Sequence, residues 1–290
     1  MERKFLGNYL FSLLLFGSNG IVANHIHLHS TQIVLLRTLI GCAFLFSLYI
    51  FNGGHFSLKG KQKALGFLLL SGIATGASWM FLYEAYAQIG VSIASLLYYC
   101  GPVIVMVLSP LLFREVLSFR KLIGFGVVLL GICLLNGTAS GSGKNSFGIL
   151  CGLLSAITYA LMVICNKKAA EITGLENASL QLFFAFLTVL LFVGTKPSLL
   201  SPIPFGDILP ILLLGICNTG IGCYLYFSSI GKIPAQTVAI CGYLEPLSAV
   251  VLSVLFLQEP LRPLQILGGF LILGGALFGE RIKKSIPSYS

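Results

Sequence analysis

The chain reads as a succession of long apolar stretches separated by short polar ones. A helix needs roughly twenty apolar residues to cross hydrocarbon. Runs of that kind fall at 5–23, 31–51, 64–88, 91–112, 120–137, 147–165, 178–195, 207–230, 235–257 and 264–281. The polar connections are brief: Asn24 to Ser30, Asn52 to Lys63, Arg114 to Phe119, Thr138 to Ser146 and Asn166 to Asn177. In lipid, backbone amides must find partners within their own segment, so such runs predict helices rather than open sheets. The pattern predicts an all-α integral membrane protein of about ten transmembrane helices. Little chain is left over for an extramembrane catalytic domain.

The pattern also repeats. Shifted by 144 residues, Phe81–Gly131 lies on Leu225–Gly275 without a gap. Tyr99 falls on Tyr243, Pro102 on Pro246, Glu115 on Glu259, Gly124 on Gly268 and Gly131 on Gly275. Leucines coincide easily between apolar helices, whereas prolines, glutamates and glycines at one offset do not. Two five-span halves follow, residues 1–140 and 145–284. Five is odd, so the second half enters the membrane inverted. Inverted repeats are a recurrent plan of secondary transporters, with a binding site near the midplane where the halves meet.

Composition excludes the other broad classes. The chain is 57% hydrophobic and 9% charged, whereas soluble domains carry about 25% charged residues. A net charge of +9 fits nucleic acid only when the basic residues share a face. Here they lie between the apolar runs, so the expected partner is the bilayer and no nucleic acid. The side holding the N-terminus carries Arg3, Lys4, Lys59, Lys61, Lys63, Arg114, Arg120, Lys121, Lys167, Lys168, Lys232, Arg281, Lys283 and Lys284. The other side has Lys144, Lys196 and Arg262. The positive-inside rule then puts both termini in the cytoplasm and requires an even number of spans. Arg3 and Lys4 precede an apolar stretch with no small-residue cleavage site after it, so that stretch reads as a permanent first span. A compact chain with no recognisable eukaryotic targeting signal is expected in a bacterial inner membrane.

Ionisable groups at membrane depth are costly and face a cavity or a partner. Three stand out: Arg37, Glu84 and Glu245. Glu245 lies about 15 Å into its helix, near the midplane. Pro246 beside it frees the Gly242 carbonyl, and Pro102 repeats the feature, so both prolines are expected hinges. Arg37 and Glu84 share a depth in the second and third spans. They form either an ion pair or a substrate anchor with Glu84 competing as a gate. Trp79, Tyr83, Tyr99, Tyr159, Tyr224 and Tyr243 are candidate cavity walls, with Asn19 and Asn218 as hydrogen-bonding groups. Tyr9, Tyr49 and Tyr289 fit the interfacial belt. Gly72 with Gly76, Gly148 with Gly152, and Gly275 with Gly279 are spaced as packing seams.

No metal or cofactor is expected. The eight cysteines all lie within apolar runs without a CxxC pair, as small buried hydrophobes do. His25, His27 and His29 alternate in a loop with no cysteine or carboxylate beside them in sequence. Gly141-Ser142-Gly143-Lys144 fails as a phosphate loop, since Thr138 and Asn145 stand where Gly and Ser or Thr are needed. The histidines are confined to loops, and no GxSxG or HExxH occurs. The chain is therefore not expected to be an enzyme, the alternative being an intramembrane enzyme without a recognisable catalytic motif.

The segment Ala94 to Gly137 and its copy Ala235 to Glu280 resemble the EamA-type repeat of the drug/metabolite transporter superfamily. The resemblance rests on the mid-helix proline, the Leu-rich run ending in Glu115 or Glu259, and the Gly-spaced final helix. The second copy is fuller, from Leu244-Glu245-Pro246-Leu247 to Leu257-Gln258-Glu259. Arg37 and Gly17-Ser18-Asn19 also resemble the family. The first copy departs at Gly101, opposite Glu245, so any role of that glutamate is not duplicated. The resemblance implies a carrier for a small metabolite, an amino acid or related compound, commonly exported. Proton coupling through Glu245 is a further expectation.

Overall fold

A computed structural model describes residues 2–56, 59–136, 146–195, 200–258 and 263–279. The chain forms α1 (Glu2–Gly17), α2 (Asn19–Ala23), α3 (Ser30–Phe51), α4 (Gln62–Ile89), α5 (Val91–Tyr98), α6 (Cys100–Phe113) and α7 (Phe119–Asn136). After residues 137–145, which held the rejected phosphate-loop motif and lie outside the described residues, come α8 (Ser146–Lys168) and α9 (Gly174–Gly194). Then follow α10 (Ile208–Leu213), a π-helical stretch Leu214–Ile221, α11 (Gly222–Ile230), α12 (Ala235–Gly242), α13 (Leu244–Leu257) and α14 (Pro263–Gly279). Among the described residues, eight continuous or interrupted helices are long and apolar enough to cross a membrane. The shorter α7 and α14 lie against each other. Together they account for the ten apolar runs.

Four of those runs are interrupted. The first breaks at Ser18, the fourth at Tyr99, the ninth at Tyr243, and the eighth carries the π stretch. Pro102 and Pro246 are the third residues of α6 and α13, in the first turn, where proline is tolerated. Each removes the amide that would bond four residues back. The interruptions lie at Tyr99 and Tyr243, three residues before the prolines expected as hinges.

The 144-residue offset extends to backbone angles. Tyr99 has φ −69° and ψ −3°, and Tyr243 has φ −72° and ψ −4°. Helices α6 and α13 both end on a left-handed residue, Arg114 and Gln258, each with φ 55°. Non-glycine residues seldom adopt that region. Its recurrence at equivalent positions marks one supersecondary unit used twice.

The second half is inverted. A β-carbon at Gly124 would come within 2.6 Å of the Gly275 carbonyl oxygen, and one at Gly131 within 2.7 Å of the Gly268 carbonyl oxygen. The beginning of α7 thus meets the end of α14 and the reverse, so repeat-equivalent helices run antiparallel. The glycine seams expected from spacing all join the two halves. Gly72 and Gly76 of α4 lie against Phe184 and the Ala185 carbonyl of α9, and Gly148 and Gly152 of α8 against Ile89 and Leu97. Hydrogen bonds reinforce the α4–α8 crossing: Ser71 Oγ donates to Met162 O at 2.8 Å and Ser78 Oγ to Ser155 O at 2.9 Å.

Three expectations are corrected. Tyr9 and Tyr49 are buried rather than in a lipid-facing belt. The Tyr9 hydroxyl is drawn inward by the Val238 carbonyl, to which it donates at 2.8 Å. Tyr49 packs its ring on Phe56 at 4.5 Å, and Tyr289 lies outside the described residues. The connection expected from Asn166 to Asn177 is helical at both ends. Asn166 Nδ2 donates to Asn177 Oδ1 at 3.0 Å and Gln181 Oε1 at 3.2 Å, and Gln181 Nε2 donates to Thr75 Oγ1 at 2.7 Å. This amide cluster is buried, where only mutual pairing makes it tolerable. Finally, a carboxylate does accompany the histidine loop. Asp207 accepts from the His27 amide at 2.7 Å and lies 3.0 Å from its Nδ1, while His29 Nδ1 accepts from the Thr31 amide as the cap of α3. No group of three or more metal-ligating side chains occurs among the described residues.

A larger residue at Gly131 must part α7 from α14, because the nearest atom, the Gly268 carbonyl oxygen, is backbone that cannot rotate away. Gly131→Val should therefore destabilise the protein by about 1–3 kcal/mol and lower its melting temperature in detergent. Gly126 has no atom near its missing β-carbon, so Gly126→Ala should melt like the parent. Equal melting of all three proteins would refute the seam.

Candidate functional site

A cavity of about 420 Å³ lies between the two halves, within the range of small-molecule sites. Its lining runs from Ala23, Tyr86 and Ser95, near the loops opposite the N-terminus, to Tyr159, Tyr226 and Glu245 at mid-depth. At the other end α12 is buried along its entire length. Its repeat counterpart α5 is partly exposed at Ile93, Ser95, Leu97 and Tyr98 and gives Ser95 and Tyr98 to the cavity wall. The cavity therefore faces one end of the bundle.

Two departures from the repeat build the wall that holds Arg37. At Ser18 the first helix breaks, and the hydroxyl turns back to the Leu15 carbonyl at 2.7 Å. Asn218 Nδ2 donates to that same carbonyl and to Ser18 Oγ, both at 2.7 Å. Asn218 comes from the π stretch, whose equivalent segment in α4 is plain α-helix. π-helical turns concentrate at functional sites because the added residue reorients side chains. Here Thr219 bonds back to the Leu214 carbonyl at 2.8 Å and accepts from Arg37 Nε at 2.9 Å. The Arg37 guanidinium carbon lies 5.2 Å from the Trp79 ring centroid, within cation–π range. Arg37 Nη2 is 3.5 Å from Asn19 Oδ1. With five N–H donors on the guanidinium, the fork is fixed at one edge and keeps donors for an acceptor in the cavity.

Of the residues expected at a site, Asn19, Arg37, Trp79, Tyr83, Tyr99, Tyr159 and Glu245 line this cavity. Glu245 is partly exposed to it. Glu84 does not line it: the Glu84 carboxylate accepts from Gln88 Nε2 at 3.0 Å. The Arg37–Glu84 ion pair is not formed, because Thr219, Asn19 and Trp79 occupy the guanidinium's surroundings instead. Asn218 stands behind the wall and shapes it. Tyr243 is buried in the core, donating to the Tyr99 carbonyl at 2.6 Å, and Tyr224 packs against the same core. Gly101 marks the asymmetry between halves. A β-carbon there would come within 2.6 Å of the Tyr159 ring and 3.0 Å of the Ala156 carbonyl oxygen.

Sequence reasoning did not single out Phe16, Tyr86, Tyr98, Tyr226 and Phe227, which complete the aromatic wall. Tyr83 and Tyr86 meet edge to face at 5.5 Å, as do Tyr98 and Tyr159 at 5.3 Å. The Tyr159 and Tyr226 hydroxyls lie 3.3 Å apart. Tyr83 and Tyr86, three apart on α4, were legible as one helix face. Tyr226 carries no local signal, since its facing depends on the helix rotation set by the π stretch. Chemically, the cavity joins an aromatic enclosure to one guanidinium and one carboxylate.

Comparison with known proteins agrees with this architecture. The model of the EamA-like transporter family matches residues 6–137 and again 146–279. The uncharacterized transporter YxxF of Bacillus subtilis is 26% identical over 267 residues, covering 91% of this chain and 85% of that one. An uncharacterized transporter of Archaeoglobus fulgidus is 25% identical over 280 residues, covering 93% and 94%. Protein PecM of Dickeya dadantii is 24% identical over 217 residues, covering 74% and 73%. A solved crystal structure superposes with a TM-score of 0.82 at 18% identity, covering 95% of this chain and 97% of that one, a likeness of fold alone. With both halves matched, this chain belongs to the EamA-like transporter family.

Proposed function

We propose that this membrane transporter is a secondary carrier that moves a small zwitterionic metabolite, an amino acid or related compound, by alternating access. The observation that carries the reading is the cavity between inverted halves, with Arg37 and Glu245 on one aromatic wall. Arg37 takes the substrate carboxylate with the donors that Thr219 and Asn19 leave unused. Glu245 takes the ammonium group or a coupled proton, and the tyrosines enclose the apolar part. Exchanging the environments of α5 and α12 across the pseudo-two-fold generates the state open to the opposite end. The two repeats, residues 1–140 and 145–284, are the bodies that rock. Export is the favoured direction, and no catalysis is required.

The bacterial relatives further favour a bacterial inner membrane, and the charge distribution favours both termini in the cytoplasm. The cavity then faces outward. His25 is exposed in the loop before α3, and Lys59 in the loop before α4. In a cysteine-free background, His25→Cys should react with an impermeant maleimide in intact cells, and Lys59→Cys only after permeabilisation. The reverse pattern would invert the topology.

The central test uses proteoliposomes loaded with a mixed pool of amino acids and small metabolites, with release followed by mass spectrometry. Saturable release of one compound class is expected, and a proton gradient should alter its rate. Arg37→Gln and Glu245→Gln should each reduce transport at least about tenfold, the loss of a charged hydrogen bond. Thr219→Val should raise the half-saturating concentration by disorienting Arg37, and Glu84→Gln should transport like the parent. Unimpaired transport by both Arg37→Gln and Glu245→Gln would overturn the assignment of the cavity.

A further inference from the structure

The closed end of the bundle is fastened by two charged side chains that do not line the cavity. Glu115, just beyond α6, accepts from the Ala235 amide at 2.6 Å and the Gln236 amide at 3.1 Å. These are first-turn amides of α12, which have no carbonyl partner within their own helix. The carboxylate also meets the positive end of the helix dipole. Lys167, in the last turn of α8, donates to the Ile230 carbonyl at 3.2 Å and to the Ile233 carbonyl. Its ammonium lies 5.4 Å from the Phe113 ring centroid. The turn between α11 and α12 is thus held at its start by Lys167 and at its end by Glu115. One comes from each half.

A second observation marks this end as poised to open. Gln236 is completely buried, and neither its side-chain nitrogen nor its oxygen has a partner among the described residues; the same holds for the Ser229 hydroxyl nearby in sequence. Buried amides are almost always hydrogen-bonded. Closure here keeps Gln236 from water without replacing the bonds it loses, so opening relieves it. The burial of all of α12, against the partial exposure of Ile93, Ser95, Leu97 and Tyr98 in its counterpart α5, marks α12 as the shut one of the two equivalent elements.

We infer that Glu115 and Lys167 are gating residues, a two-point latch that holds α12 shut over the blind end of the cavity and must release for the cavity to open there. The latch rests on the carrier reading for its purpose, but its geometry is independent of the cargo. Gln236 opposes the latch, so closure depends on both charged contacts. Removing either shifts the protein toward the conformation open at this end.

The test reads accessibility rather than transport. In full-length protein purified without native cysteines, Ala239→Cys reports on α12 and Ser95→Cys on the cavity wall at the open end. Ala239 is almost fully buried, so the parent reporter should react slowly with a maleimide. Glu115→Gln and Lys167→Gln should each accelerate that reaction about tenfold, as expected for one lost charged contact in a two-state equilibrium. The same variants should slow labelling of Ser95→Cys. If Glu115→Gln is not monodisperse, Glu115→Asp, whose shorter arm reaches one amide at most, should give an intermediate rate. Unchanged labelling at Ala239→Cys would overturn the latch. Acceleration at both reporters would also overturn it, because that reports a loosened bundle rather than an exchange of ends. No cargo enters this experiment, so a failure to find transport leaves its outcome intact. Normal transport with unchanged labelling would refute the latch alone.

Discussion

A helix broken inside an apolar bundle leaves amides and carbonyls that lipid cannot satisfy, and the arrangement of this protein follows from how each break is answered. The Leu15 carbonyl, left by the break at Ser18, is taken by Ser18 and by Asn218 from a helix two hundred residues away. The Tyr99 carbonyl is taken by the hydroxyl of Tyr243, its own counterpart in the other repeat. The opening amides of α12 are taken by Glu115. Each break draws at least one partner from the other half, so the interruptions that shape the cavity also bind the halves together.

The two halves share a backbone plan down to the left-handed residues that end α6 and α13, yet they are not used alike. Glycine seams let α7 and α14 touch backbone to backbone across the pseudo-axis, with the Ile272 and Val128 side chains packed beside the contact. The short helices α5 and α12, each set off by a break, are the elements that the proposed alternating access would exchange. The π stretch falls outside this symmetry, and it is what turns Thr219 toward Arg37.

Much of the fold was legible because membrane helices obey two strong constraints, length and internal hydrogen bonding. The repeat at 144 residues foretold the paired interruptions, although the breaks at Tyr99 and Tyr243 precede the prolines that cause them. Glu245 and Arg37 stood out because charge inside an apolar run demands a reason. The facing of aromatics was not legible, since a tyrosine toward lipid, core or cavity looks the same in a helix of uniform hydrophobicity. Tyr243 was read as wall and is core, while Tyr98, one residue from the break, was passed over and is wall. Glu84 was paired with Arg37 by depth alone. Partners such as Thr219 and Asp207 come from remote segments, and no spacing rule reaches them.

The asymmetry at Gly101 and Glu245 bears on how a cargo is handed over. A cavity with true two-fold symmetry would accept a polar molecule either way round. Here the Tyr159 ring fills the space that a second carboxylate would need beside Gly101, so the cavity has one acidic pole and one basic pole. Under the alternating access proposed above, a cargo with unlike ends would keep a single heading while the walls around it exchange openings, and would leave the protein with the opposite end foremost from the one that entered last.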